Sequence, residues 1–291
     1  MRPIAALMDR LTAASDKVRP GFDPIDWPDA VMPDDAWFMS PELLSLAGLP
    51  EFDSLPEPRR KRLSFFEAVN FFSLNIHGEK PLVAGLAERL YASDKPDLAP
   101  YLHRFLEEEN RHMAWFAGFC RRYAGKVYPE KRMPLTVARD DGAADFVFFA
   151  EALLFEEIVD AYNQAIAADP RVNAIVRTIN RLHHEEEQRH ILFGRRAVQT
   201  LFAVGRESWS PAQIAAIRAE LLGFVDMTWR QYWNPDVYRD AGLGDPYGLM
   251  RRGWSHHDAV ARRNAIGTAA LGWMYQAGIV ADDPRGLGSA P

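Results

Sequence analysis

Apolar residues recur every three to four positions over long stretches of this chain, with charged residues on the intervening positions, and a period near 3.6 marks amphipathic helices. The spacing predicts four long helices, at about 63–92, 97–125, 143–168 and 171–204. Breaks are supplied by "SDKPDLAP", by "GKVYPEKRMPLTVARDDG" and by "AADPR", each rich in residues that end helices or turn the chain. Two further helical patterns, near 211–233 and 254–277, are separated by "NPDVYRDAGLGDPYG" (Asn234 to Gly248). Alternating strand patterns with hairpin signals are nearly absent, so the fold class is all-α. Four helices of such length make a bundle, with the extra C-terminal helices packed onto it. The first 62 residues are rich in Pro and Asp, and "PGFDPIDWPDAVMPDD" (Pro20 to Asp35) reads as an extended arm that wraps the core. The expected organisation is an arm over 1–62, one helical domain over 63–280 and a flexible tail over 281–291.

Two of the four helices interrupt their apolar stripe in the same way. "FLEEENRHMAWF" (Phe105 to Phe116) and "HHEEEQRHILFG" (His183 to Gly194) each set three glutamates before a histidine. Residues three or four apart share a helix face, so Glu109 neighbours His112, and Glu187 neighbours both His190 and His183. The other two helices each place a glutamate within an apolar stretch, Glu79 and Glu156. The order Glu, Glu-x-x-His, Glu, Glu-x-x-His is that of ferritin-like bundles that hold two irons or two manganese ions. Charge supplies the logic, since four carboxylates balance two divalent cations and imidazole completes each coordination sphere. Without metal, the same carboxylates would repel one another at a heavy desolvation cost.

A single Glu-x-x-His is common on any exposed, salt-bridged helix face. Two copies interleaved with two glutamates are not, and they favour a metal centre. Within it some positions compete: Glu108 also lies one turn from His112, Glu67 is an alternative to Glu79, and Glu157 or the more distant Glu151 to Glu156. Glu107, Glu108, Glu185 and Glu186 suit solvent or an outer layer around the ligands. His184 fits either an outer layer or the surface, and His77 either the vicinity of Glu79 or an ordinary core position. Pro81 punctuates the first helix just beyond Glu79.

The bulk numbers narrow the partners. At 291 residues and 48% hydrophobic content the chain can bury a large core, while a formal charge of -6 argues against nucleic acid despite the basic run "PRRKR" (Pro58 to Arg62). Cys120 is the only cysteine, which excludes an intrachain disulfide, suits a reducing cytoplasm and, among Phe116, Phe119 and Tyr123, reads as packing. No apolar run approaches the roughly 20 residues of a membrane span, and charges break the N-terminus too early for a signal peptide. A soluble cytoplasmic protein with a small-molecule partner is the expectation, with no role for nucleic acid or membrane.

With the stripe His183-x-x-x-Glu187-x-x-His190 in view, residues 63–204 resemble the AurF-like di-iron N-oxygenases, typified by p-aminobenzoate N-oxygenase. The resemblance implies a ferritin-like cluster with a third histidine, which maps to His183, and Glu156 stands 27 residues before it (183 minus 156), as the family pattern would place it. It further implies that Glu79, Glu109, His112, Glu156, His183, Glu187 and His190 hold two iron ions, with manganese in place of one left open. O2 would be co-substrate, an external donor would supply electrons, and a homodimer is a family-level expectation. The implied reaction oxidises an amine, most readily an arylamine, to hydroxylamine, nitroso or nitro product. The ligand set alone also permits C–H hydroxylation, desaturation or oxidative cleavage, and leaves open a ferritin-like metal-handling protein or a bimetallic hydrolase. Phe105, Trp115, Phe116, Phe149, Leu153 and Phe193 are spaced to line a substrate pocket or simply to pack the core. Arg230 and Tyr232 are candidates to hold a substrate carboxylate, and Asp160 and Asp226 to orient imidazoles.

Overall fold

The expected helices form because each has one face that finds an apolar partner. In the computed structural model, which describes residues 2–17, 21–91, 99–130 and 142–281, the bundle consists of α3 (Glu57–Arg89), α4 (Ala99–Phe119), α5 (Ala144–Ala168) and α6 (Ala174–Gly205). Phe72 stacks on Phe116 at 5.2 Å while Phe65 meets Phe119 at 6.1 Å, so α4 rises as α3 falls and the pair is antiparallel. The short turn after α5 folds α6 back along it, and these two helices share the most extensive contact in the molecule. Asn173 caps α6 by accepting the amide hydrogen of Ile175.

Several boundaries differ from the sequence expectation. α3 begins at Glu57, six residues before the predicted 63, so the basic run "PRRKR" is its first turn, with Lys61 paired to Glu57 and Arg62 to Asp34. Pro81 does not interrupt α3. It removes one backbone donor, the partner of the His77 carbonyl, but the helix runs on to Arg89 because Leu82 and Leu86 on the next turn are buried. α4 closes in a π-helical turn over Cys120–Ala124 that ends at Gly125, whose φ of 66° is a left-handed cap.

The N-terminal arm is only partly extended. Residues 21–40 are largely irregular, and the arm is pinned where Trp37 pairs with Val172 in an isolated bridge. Before them, however, α1 (Arg2–Lys17) is an amphipathic helix that lies against α4 and α6 and buries Leu7, Met8 and Leu11. Proline-rich composition averaged over the first 60 residues hid this local period. A short α2 (Pro50–Asp53) precedes the bundle. After it come α7 (Pro211–Arg230), α8 (Pro235–Asp240), α9 (Pro246–Ser255) and α10 (His257–Gln276), of which α7 and α10 pack on α5. The helix expected near 254–277 is α10, while the expected break Asn234–Gly248 holds α8 and the start of α9, which stops before His256, whose ψ of 138° is extended. The expected tail lies, from residue 282 onward, outside the described residues.

Candidate metal centre

Each bundle helix brings its acidic position to the same depth of the interior. Glu79 comes from α3, Glu109 and His112 from α4, Glu156 from α5, and His183, Glu187 and His190 from α6. All seven are buried. Glu109, His112, Glu187 and His190 offer donor atoms that all lie within 4.8 Å of one another, and so do Glu79, His112 and His183, giving two overlapping groups. His190 Nδ1 is 2.7 Å from Glu109 and 3.4 Å from Glu187. His112 Nδ1 is 3.4 Å from Glu187 and 3.6 Å from Glu109. His183 Nε2 approaches Glu187 at 2.9 Å and Glu79 at 3.5 Å. Glu156 stands outside these two groups but close enough for the charges of Glu187 and Glu109 to act on it.

The remaining nitrogens of His112 and His190 point outward into a crossed pair of carboxylates. His112 Nε2 meets Glu186 of α6 at 2.8 Å, and His190 Nε2 meets Glu108 of α4 at 2.7 Å. Arg111 donates to Glu186 at 2.7 Å and Arg189 to Glu108 at 2.6 Å, so the Arg-His pair of each helix grips the middle glutamate of the other. An outer carboxylate of this kind fixes the ring's tautomer and raises its donor strength. Arg189 also donates to Ser15 at 3.0 Å, which ties α1 to this layer. The chain carried a signal for the arginines, since both runs read Glu-Glu-Glu-x-Arg-His. Of the two competing positions, Glu109 faces the cluster and Glu108 the back of an imidazole.

Electrostatics follow from this layout. Burial, together with repulsion from Glu109 and Glu187, pushes Glu79 well above the usual carboxylate range, and burial with Glu187 does the same to Glu156. Against its burial, Glu187 is held well below that range by His190 and His183. Burial likewise opposes ionisation of Glu108, yet His190 and Arg189 bring it to about 2. His112 is raised to about 9 despite burial, chiefly by Glu109 and Glu186.

Other expected positions lie elsewhere. Glu67 accepts hydrogen bonds from the Ser45 amide and hydroxyl, remote from the cluster. Glu157 pairs with Arg195. His77 bonds to the Tyr128 carbonyl at 2.8 Å. Asp160 orients His184, which is not in the cluster, and also takes hydrogen bonds from Gln164 and Gln188. Asp226 pairs with Arg230 on the surface, so neither serves the cluster, and Tyr232 packs against Phe71 and Tyr162. Phe105 stacks on His190 at 4.0 Å, Phe116 sets its edge to His183 at 4.9 Å and Trp115 lies 5.5 Å from His112, so all three wall the imidazoles. Phe193 packs among Tyr101, Phe105 and Phe149.

Whether this pocket of donors fits metal is tested by its unpartnered atoms. Both oxygens of Glu79, Oε1 of Glu109 and of Glu156, Oε2 of Glu187, Nδ1 of His112 and Nε2 of His183 are buried without a hydrogen-bond partner. Orphaned buried acceptors are rare because each costs its full desolvation. Here they converge, four carboxylates and three imidazoles are the donor set that two divalent cations satisfy, and the residues therefore fit a dimetal centre.

A helical bundle in which two helices give a glutamate each and two give a Glu-x-x-His defines the dimetal carboxylate proteins. The sequence profile of the p-aminobenzoate N-oxygenase AurF matches residues 4–271, and the chain belongs to that family. It is accordingly an oxidoreductase, a non-haem di-iron oxygenase that acts on a small molecule. Among solved structures it is similar to an R2-like ligand-binding oxidase without metal cofactor, with a TM-score of 0.44 and 16% identity over 89% of this chain and 95% of that one. A mutant of the R2-like oxidase with an anaerobically reconstituted Mn/Fe cofactor gives 0.39 and 16%, over 89% and 92%. No curated protein matches the sequence. Among the described residues no helix is long and apolar enough to cross a membrane.

Proposed function

We propose that Glu79, Glu109, His112, Glu156, His183, Glu187 and His190 hold two irons and that the chain N-oxygenates an arylamine. The observation that carries this reading is His183, a third imidazole whose free Nε2 faces Glu79 and Glu187, in a chain of the AurF family. Two ferrous ions in this site supply the reductive activation of O2. The protein's own residues confine and orient that chemistry. Phe105, Trp115 and Phe116 seal the imidazole side against water. Glu79 and Glu156 are the most exposed of the seven, at 3% and 5%, against 2% or less for the others. These two carboxylates lie beside the close α3–α5 contact that the Phe155 ring fills.

Converting an amine to a hydroxylamine with O2 puts one oxygen atom on nitrogen and the other into water, which consumes two further electrons and two protons. An external reductant is thus part of the proposal, as is a second copy of the chain on the family's expectation. A buried, reduced Cys120 is compatible with a cytoplasmic setting.

The test is single-turnover oxidation of aniline and p-aminobenzoate by anaerobically iron-loaded protein mixed with ¹⁸O2, with iron counted on the same sample. Expected are about two irons per chain and ¹⁸O on the amine nitrogen. Two irons with oxygen inserted only into carbon would replace N-oxygenation by hydroxylation, and His183→Ala with unchanged iron content and product would remove the observation on which the proposal rests.

A further inference from the structure

The three imidazoles are not supported alike. His112 and His190 each turn their outer nitrogen to an ionised carboxylate that also binds an arginine. His183 turns Nδ1 to the side-chain amide of Asn163 on α5, at 2.6 Å. Asn163 is fully buried, and its Oδ1 has no hydrogen-bond partner. It stands two turns beyond Glu156 on the same face of α5 (163 minus 156 is seven), a spacing that gave no signal in the chain because asparagine is not one of the ligand types.

A coordinating imidazole nitrogen must offer a lone pair, so the neutral ring carries its proton on the other nitrogen. For His183 the inward atom is Nε2, which faces Glu187 and Glu79, and the proton then sits on Nδ1. Nδ1–H needs an acceptor, and the Asn163 amide is the group in reach. Only its carbonyl oxygen can accept. The amide oxygen and nitrogen exchange places by a half-turn that leaves the side chain's volume unchanged, and this turn brings the otherwise unpartnered Oδ1 to Nδ1.

The geometry points to Asn163 as a positioning residue that fixes the Nδ1–H tautomer of His183 through a neutral acceptor. It rests on the ligand set given under the proposed function. The chemical consequence is an asymmetric centre. A carboxylate behind an imidazole makes it a stronger donor than an amide does, so His183 binds its metal less strongly than the two histidines of the Glu-x-x-His pairs.

Zinc, which is redox-silent, separates this role from packing. The full-length chain and its Asn163→Asp and Asn163→Leu variants are titrated with Zn²⁺ against a competing chelator. A positioning role orders affinity as Asp at or above Asn and both above Leu, with Leu weakened by about 10- to 100-fold. Packing alone reverses the order, because leucine fills the site without a polar atom to satisfy while an aspartate of asparagine's own size must bury a charge, and that reversal overturns the inference. Ring-nitrogen NMR of the Zn²⁺-loaded wild-type chain gives a second reading that needs no variant to fold. His183 protonated at Nδ1 is expected, and protonation at Nε2 overturns it. Zn²⁺ affinity unchanged in His183→Ala would sink the ligand assignment and this inference together. Affinity lowered in His183→Ala but unchanged in Asn163→Leu would sink this inference alone.

Discussion

Adjacent glutamates in one helix do unlike things here because each residue turns the side chain by about 100°. Glu109 faces the shared donor pocket, while Glu108 reaches sideways to His190 and Arg189 on α6. The two should therefore fail differently. Glu109→Ala removes a metal-facing carboxylate, so iron content should fall. Glu108→Gln keeps an acceptor for His190 but loses the charge that meets Arg189, so metal should remain bound with affinity reduced by about 10- to 100-fold. Competitive chelation on the two purified variants checks this, and equal losses in both would contradict the assignment of roles. Cys120 behaves as its neighbours require: burial pushes its thiol up to about 12, which suits a packed side chain and not a nucleophile.

At the scale of elements, α3 and α5 approach through two glycines. A Cβ on Gly78 would lie 2.1 Å from the Phe155 ring, and one on Gly85 would lie 2.2 Å from the Phe148 ring. The pairs are seven residues apart on both helices and run in opposite directions (78 to 85, 155 to 148), as antiparallel helices in register require. Gly78 and Phe155 immediately precede Glu79 and Glu156. Gly78→Ala should then displace Phe155, costing about 1–3 kcal/mol in overpacking, and should weaken metal binding by moving both carboxylates. Gly223 on α7 has no neighbour within 4 Å of its Cβ position, so Gly223→Ala should instead stabilise the chain by about 0.5–1 kcal/mol. Thermal unfolding of the two variants tests the contrast, and a neutral Gly78→Ala would refute the close approach.

Across the whole molecule, the N-terminal arm and the bundle are joined by a buried acid. Glu67 on α3 holds Ser45 of the arm, and Ser45 in turn meets Tyr238 of α8 at 2.9 Å. Burial raises Glu67 to about 7 from an ordinary 4.5, against the hydrogen bonds from Ser45. The folded chain thus holds this proton over a range in which the unfolded chain releases it. Its contribution is complete below about pH 4.5, falls as pH rises toward 7, and changes little beyond. The span corresponds to about 3 kcal/mol as an order of magnitude. Denaturant unfolding of metal-loaded protein at pH 5 and pH 8 should show Glu67→Gln losing less stability than wild type between the two, and parallel losses would remove Glu67 as the source.

The grouping of the candidate ligands was largely legible in the chain because a helix converts spacing into direction. Glu109 with His112, and His183 with Glu187 and His190, needed only the helical period to share a face, and the helices themselves followed from their apolar stripes. What lay between helices was not legible. That Glu108 backs His190 and Glu186 backs His112 depends on how α4 and α6 cross, and no local spacing encodes that crossing. Asp160 and Asp226 were both candidates to orient imidazoles, yet the packing of α5 on α6 sets Asp160 against His184, while Asp226 pairs with Arg230 one turn on in its own helix. α1 escaped for a related reason, whereas α3 runs through Pro81 as the span predicted over 63–92 requires. A local rule about proline carries a modest energy, and burial of a long apolar face outweighs it. Contacts within a turn of helix are written in order along the chain, whereas contacts between helices exist only once the bundle has closed.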